Sequence, residues 1–360
     1  MPVMGWIRFL LAALVVAHHC EFYRLKSTIG GHAAVEAFFF VSGFYMAAAY
    51  PRYVGRFAPL RFWVSRYLRL YPLYITLLFS TWLLWIAGSF SNTTEIFNAF
   101  SDPSAPWIAN LSLLGQDVIS ISESSQLLMP VRQAWSISAE LAFYALMPLI
   151  VRMTSKQLIA ACVVSFAIKA YFAATGDFRI AYFPFFSQLG YFIGGVLLFR
   201  IRDPLTWRKQ DALPLVALAS IYLCLSGFAS FERGVIPNAG MIFAISICMP
   251  TAFQHTKGAI QDFLGDISYG IYLIHFLAIE ALVSLGTIKI GTASATSTIK
   301  ATIFALIFSA IAAAIFEVAV QSRIDRWRRR SLYNSSVPFH ENQSTQPLDL
   351  PSEISPASRN

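Results

Sequence analysis

A chain of 360 residues that is 56% hydrophobic and 13% charged, with a mean hydropathy of +0.58, is too apolar to be one soluble domain with a polar surface. Its formal net charge of +8 needs no nucleic-acid partner, and none is expected, because the basic clusters sit beside apolar segments, where anionic lipid headgroups attract them.

A helix needs roughly 17 to 25 residues to cross hydrocarbon. Segments of that kind lie at 6–23, 33–50, 69–88, 135–152, 157–174, 182–200, 211–229, 234–252, 266–287 and 300–320. The expectation is an all-α polytopic membrane protein of about ten transmembrane helices. The stretch 106–121, PWIANLSLLGQDVISI, is apolar for only about half a span, so it reads as a re-entrant or surface piece.

Lys and Arg concentrate on the cytoplasmic side of membrane proteins. With the N-terminus inside, 18 of them fall in inner loops and 7 in outer loops. An odd number of helices would place the basic run RWRRR outside, so both termini are expected in the cytoplasm. Residues 1–330 form the transmembrane domain in this reading. Residues 331–360 are Ser- and Pro-rich and read as a disordered cytoplasmic tail. The four cysteines are scattered through apolar segments without a CxxC pair, so neither a disulfide framework nor a metal site is expected.

Polar side chains at membrane depth are costly and therefore point to function. In RFLLAALVVAHH, Arg8 and His19 are 11 positions apart, about three helical turns plus 20°, so they share a face and are separated by about 16 Å along the axis. His18 points about 80° away from Arg8 and is the weaker candidate. AAVEAFFFVSGFYM brings Glu36 and Ser42 into an aromatic helix. RFWVSRYLRLYPLY sets Arg66 and Arg69 three apart on one face. WSISAELAFY carries Trp135 and Glu140, and LGDISYGIYLIHF carries Asp266, Tyr272 and His275.

Taken in order, these five blocks resemble the signatures of the membrane acyltransferase family 3, which O-acylates bacterial lipopolysaccharide, exopolysaccharide and related glycans. The resemblance covers residues 5 to about 320. It implies about ten helices, cytoplasmic acyl-CoA, typically acetyl-CoA, as donor, an exported or surface glycan as acceptor, and residence in the bacterial inner membrane. It also implies that Arg8 and His19 are the essential pair and that Arg66 and Arg69 are the family's Arg-x-x-Arg. Two positions of the usual WSLSVE depart mildly here, as Ile137 and Ala139.

The chemistry fits that assignment. Acyl transfer from a thioester to a hydroxyl needs a base, and imidazole titrates in the right range, so His19 is the catalytic candidate. The phosphates of acyl-CoA need forked, permanent cations, a role for Arg66 and Arg69 with Arg8 in support. Glu36, Ser42, Trp135, Glu140 and His275 are candidates for substrate contact or for structural polar pairing. In the structural alternative, Glu36 and Glu140 pair with Arg or Ser. Trp135 is then an interface anchor, Gly43 permits close helix approach, and His275 bonds across helices. A secondary transporter of a small anionic or sugar-like solute would also use intramembrane Arg, Glu and His. It should, however, show repeat symmetry, which this sequence does not display.

Overall fold

The computed structural model describes residues 5–20, 31–87, 102–202, 258–288 and 295–333, with positions 242, 245–247, 249 and 250 between them. In chain order the helices are α1 (Gly5–His19), α2 (Gly31–Ala49), α3 (Ala58–Ile86), the short α4 (Trp107–Ser112), α5 (Gln116–Ile119) and α6 (Glu123–Leu127), then α7 (Trp135–Ile150), α8 (Ser155–Thr175), α9 (Phe178–Tyr182), α10 (Phe185–Arg200), α11 (Ala259–Ser284) and α12 (Ala295–Phe316). A π-helical turn, Glu317–Gln321, joins α12 to α13 (Ser322–Leu332). No strand occurs among the described residues.

Eight of the ten expected spans are helices here. The segment 211–229 lies outside the described residues, and 234–252 is described only at the scattered positions above, all helical. Six helices among the described residues are long and apolar enough to cross a membrane: Gly31–Arg52, Ala58–Ile86, Ser155–Thr175, Phe178–Arg200, Ala259–Ser284 and Thr296–Leu332. Helices α1 and α7, at 15 and 16 residues, are shorter.

Two boundaries differ from the hydropathy reading for one physical reason: hydropathy marks where the lipid begins, whereas a helix can continue past it. Helix α3 starts at Ala58, with a proline in its first turn, and carries Arg61, Arg66 and Arg69 on its polar end. The last helix likewise continues through a basic segment to Leu332. Ser331, Leu332 and Tyr333, assigned by composition to the tail, therefore belong to the folded part. Residues 334–360 lie outside the described residues.

Burial is graded in the manner of a membrane bundle. Helix α2 is central, with 16 of its 19 residues buried. Helix α8 buries only Leu158 and Ser165. On α12, Ile303, Ile307, Ile311 and Ile315 form an exposed apolar row at four-residue spacing, the pattern of a helix facing hydrocarbon.

Close contacts between helices rest on small residues. A Cβ on Gly43 would lie 1.9 Å from the Phe192 carbonyl oxygen, and one on Gly195 would lie 1.9 Å from that of Phe40. These two contacts press α2 onto α10, as the Gly43 reading anticipated. Gly5 meets α11 in the same way, where a Cβ would lie 1.7 Å from the Gln261 carbonyl oxygen.

Two helix-interior prolines also knit the bundle. Proline has no N–H, so it frees the carbonyl four residues earlier. Pro72 frees Leu68, whose oxygen accepts from Gln321 Nε2 at 3.3 Å. Pro148 frees Tyr144, whose oxygen accepts from Trp63 Nε1 at 3.1 Å. In each case a side chain from another helix takes the orphaned acceptor, which locks α3 to the π-turn and to α7.

The stretch 106–121 folds largely as short helices held by polar contacts to the bundle. Gln116 Nε2 donates to Tyr74 Oη at 2.7 Å, and Asp117 accepts from Ser138 Oγ at 2.8 Å and from the Phe185 backbone N–H at 3.0 Å.

Candidate active site

A cavity of about 470 Å³ runs between α1, α2, α3, α7, α11 and α13. Its arginine-rich end is lined by Arg8, Arg52, Arg66, Arg69, Arg328 and Arg329, with Tyr333. Ser42, Glu140 and Tyr144 stand farther along, and the lining ends on Val35, Phe38, Phe39, Ile137, Ser136 and Tyr272.

The two arginines of RYLR have different surroundings. Arg66 is buried and has no carboxylate partner among the described residues. Its Nη2 donates to Tyr53 Oη at 3.1 Å, Ser65 Oγ at 3.3 Å and Tyr333 Oη at 2.8 Å. Its Nε is buried without a partner among the described residues. Arg69 is instead surrounded by acids, pairing with Asp266 at 2.9 Å, Asp325 at 3.2 Å and Glu317 at 3.3 Å. Arg66 thus carries a charge beside the cavity that no carboxylate among the described residues neutralises, while Arg69 ties α3 to α11, the π-turn and α13. A π-turn commonly marks a functional position in a helix, and here it presents Glu317 to Arg69.

Arg328 donates to the Ser65 carbonyl oxygen at 2.8 Å and pairs with Asp325 at 3.2 Å. Arg52 lies over the Tyr333 ring, 4.5 Å from its centroid. Burial opposes ionisation of the Tyr333 phenol, but Arg66 and Arg328 outweigh it and bring the pKa down to about 7. Burial pushes the neighbouring Tyr53 phenol up.

Midway along the cavity, Ser42 Oγ donates to Glu140 Oε1 at 2.5 Å, and Tyr144 Oη donates to the same oxygen. Glu140 therefore pairs with Ser42, one of the two partners considered. Glu36 is buried and pairs with Lys169 Nζ at 2.7 Å, a partner the sequence reading did not consider. Trp135 is not an interface anchor. It is buried against Phe39, Tyr182 and Phe183, because α7 begins inside the bundle after the short helices rather than at its surface.

The histidines gather beyond the cavity. His19 turns towards α11, with its ring 5.1 Å from His275 and 4.4 Å from Phe276. His18 turns towards α2, where it contacts His32 at 5.3 Å. The divergence expected from helix geometry is present. His275 Nδ1 lies 2.5 Å from the Tyr272 carbonyl oxygen of its own helix, not across helices. A carbonyl can only accept, so Nδ1 carries the proton and neutral His275 keeps a lone pair on Nε2. That Nε2 is buried without a hydrogen-bond partner among the described residues. No group of three or more His, Cys, Asp or Glu side chains among the described residues is arranged to hold a metal ion.

The structure therefore places Arg8, Arg66, Arg69, Ser42 and Glu140 on one cavity and puts His19 and His275 beside each other past its end. Glu36 and Trp135 lie outside the lining. The sequence reading missed Asp325, Arg328 and Tyr333, whose basic helix reads as a topological anchor, and also His32 and Lys169. The signal available for Lys169 was a lone cation in an apolar span, which demands a buried partner.

The described residues, all-helical in their regular structure, with lipid-type apolar faces and membrane-length spans around a cationic internal cavity, are those of an integral membrane protein. The profile of a family described as an acyltransferase domain matches residues 3–318, and the chain belongs to that family, acyltransferase 3. It is 26% identical over 291 residues to a protein named as a membrane-bound transacylase, BcsY, of Komagataeibacter xylinus, with 75% of this chain and 70% of the relative covered. It is 24% identical over 312 residues to the peptidoglycan O-acetyltransferase OatA of Listeria monocytogenes. That match covers 76% of this chain and spans 49%, about half, of OatA. A third relative, protein 2 in the picA locus of Rhizobium radiobacter, is 36% identical over 75 residues, 20% of this chain and 39% of the relative. No solved structure matches. The protein is a membrane acyltransferase.

Proposed function

We propose that the protein moves an acyl group, acetyl in the first instance, from cytoplasmic acyl-CoA to a hydroxyl of an exported or cell-surface glycan in the bacterial inner membrane. The observation that carries this reading is the arginine-lined cavity pointing towards the His19 and His275 pair. The excess of Lys and Arg in the loops beside the cavity's arginine-rich end supports a cytoplasmic position for that end.

In this mechanism Arg66 receives a donor phosphate through charge-assisted hydrogen bonds, and Arg8, Arg328 and Arg329 add to the local positive potential. The pantetheine arm threads between α2, α7 and α11. The sugar oxygen attacks the thioester carbonyl carbon, so the new O–C bond forms as the C–S bond breaks. The hydroxyl proton passes to the His19 imidazole and then to the departing thiolate, which leaves as the thiol of CoA. The name of OatA specifies a peptidoglycan acceptor, and a glycan is carried over from it only as a class.

The test pairs two measurements. Purified protein in lipid vesicles should release CoA thiol from acetyl-CoA when membrane glycolipids are supplied, and a deletion strain should lack an acetyl mass increment on one surface glycan. Failure to consume any acyl-CoA would overturn the donor assignment, and unchanged glycans would overturn the acceptor.

A further inference from the structure

Only three residues of α2 are not buried: His32, Phe38 and Ser42. Phe38 and Ser42 are four apart, so they share a face, and both line the cavity. Ser42 has a polar partner there. Phe38 is an apolar ring left half-open near the end of the cavity lining, one turn from Val35, the last lining residue of α2. Across from it stands Tyr272 of α11, with ring centroids 6.0 Å apart and planes inclined by 64°. Tyr272 is one helical turn before His275, whose ring is 5.9 Å from its own, and neither His19 nor His275 is among the lining residues. The two aromatic rings thus separate the donor cavity from the histidines.

The two halves of this partition are held differently. Tyr272 Oη exchanges a hydrogen bond with Ser136 Oγ at 2.7 Å and donates to the Gln133 carbonyl oxygen at 3.1 Å. Gln133 is itself anchored, its Nε2 donating to the Leu273 carbonyl oxygen at 2.5 Å. The tyrosine is fixed by oriented bonds on a segment that is tied back to its own helix. The Phe38 side chain has no polar atom and is held by van der Waals contact alone, which allows rotamer exchange at small cost.

We propose that Phe38 is the movable leaf, and Tyr272 the fixed jamb, of an aromatic partition that admits the acyl thioester from the donor cavity to the histidine pair and thereby sets the length of acyl chain the enzyme transfers. The proposal rests on the acyl-CoA reading above. The space opened by turning one ring is small, so it suits a short acyl group. An apolar pocket discriminates by roughly 10- to 200-fold per misplaced methylene. The closed partition also keeps water in the donor cavity from the thioester carbonyl once that group has passed.

The experiment compares the wild type with Phe38→Ala, Phe38→Leu and Phe38→Trp in lipid vesicles, using acetyl-, butyryl- and hexanoyl-CoA. CoA thiol release is measured with and without a glycolipid acceptor, and folding is checked by size-exclusion chromatography. Phe38→Ala should shift the ratio of kcat/KM for butyryl- over acetyl-CoA upward by about tenfold or more and should raise acceptor-independent release. Phe38→Trp should move the ratio the other way. If Phe38→Ala does not fold, Phe38→Leu carries the test with a smaller shift in the same direction. A wild type that transfers acetyl groups alongside folded variants with unchanged chain-length preference overturns the partition alone. A wild type that uses no acyl-CoA overturns the proposed function and the partition with it.

Discussion

Arg66 Nη2 donates to Tyr333 Oη at 2.8 Å across 267 residues of sequence, so the residue just past α13 completes the surroundings of the cation that faces the cavity. The phenol's pKa of about 7 lies below the roughly 10 of an unfolded tyrosine. A group whose native pKa is depressed contributes stability above its unfolded value and loses it as pH falls through the native value. Stability should therefore rise between pH 7 and 9. Over the same window the added negative charge beside Arg66 should weaken acyl-CoA binding. Tyr333→Phe should flatten both profiles, measured by thermal unfolding in detergent and by calorimetry. Slopes unchanged in the variant would remove Tyr333 from the account.

Truncation separates the contribution of Tyr333 from that of the C-terminal segment. Deleting 335–360, a stretch too polar to bury a core, should leave transfer activity near wild type. Stopping the chain after Arg330 removes Tyr333 and its bond to Arg66 as well and should lower the unfolding temperature. Equal stability of the two truncations would contradict this placement.

The different surroundings of Arg66 and Arg69 predict different phenotypes. Arg66→Ala removes charge-assisted contacts worth about 1.5 to 3 kcal/mol and should weaken acyl-CoA binding by roughly 10- to 150-fold in a folded protein. Arg69→Ala leaves Asp266 and Glu317 without this cation and Asp325 with Arg328 alone. Breaking such a pairing costs about 3 to 5 kcal/mol, so its main effect should be a lowered unfolding temperature. An Arg69→Ala protein with wild-type stability and selectively lost binding would reverse the two roles.

Helix faces were legible in the sequence, and contacts between distant helices were not. The 100° step of an α-helix is enough to send His19 and His18 to different neighbours, as observed. Gly43 as a contact point followed from its lack of a side chain in an aromatic helix. The partners of Arg69 come from α11, the π-turn and α13, and no local pattern links these to RYLR. Trp135 was misplaced because its position beside a polar loop is the same, to hydropathy, whether that loop lies at the membrane surface or packs against the bundle. The tail boundary fell three residues short because a basic helix end and a basic linker have similar compositions, and only the Tyr333 contacts distinguish them.

The Glu36 and Lys169 pair gives a prediction independent of substrate. Lys169 Nζ lies 2.7 Å from Glu36 and donates to the Ala181 carbonyl oxygen at 3.1 Å, joining α2, α8 and α9. Lys169→Met alone removes this cation from a buried carboxylate and should cost about 3 to 5 kcal/mol. Adding Glu36→Met should recover a large part of that loss, since the coupling of contacting residues is not additive. Additive losses in a double-mutant cycle of unfolding would show that the two groups do not depend on each other.

The central claim is that donor binding and proton transfer occupy opposite ends of one passage, and the His19→Ala enzyme tests it most directly. In reconstituted membranes, acyl-CoA affinity and acyl transfer are measured on the same preparation. Affinity should stay near wild type while turnover falls by about 10² to 10⁴, and His18→Ala, directed towards α2, should do much less. Loss of donor affinity in His19→Ala, or full turnover without that imidazole, would contradict the account.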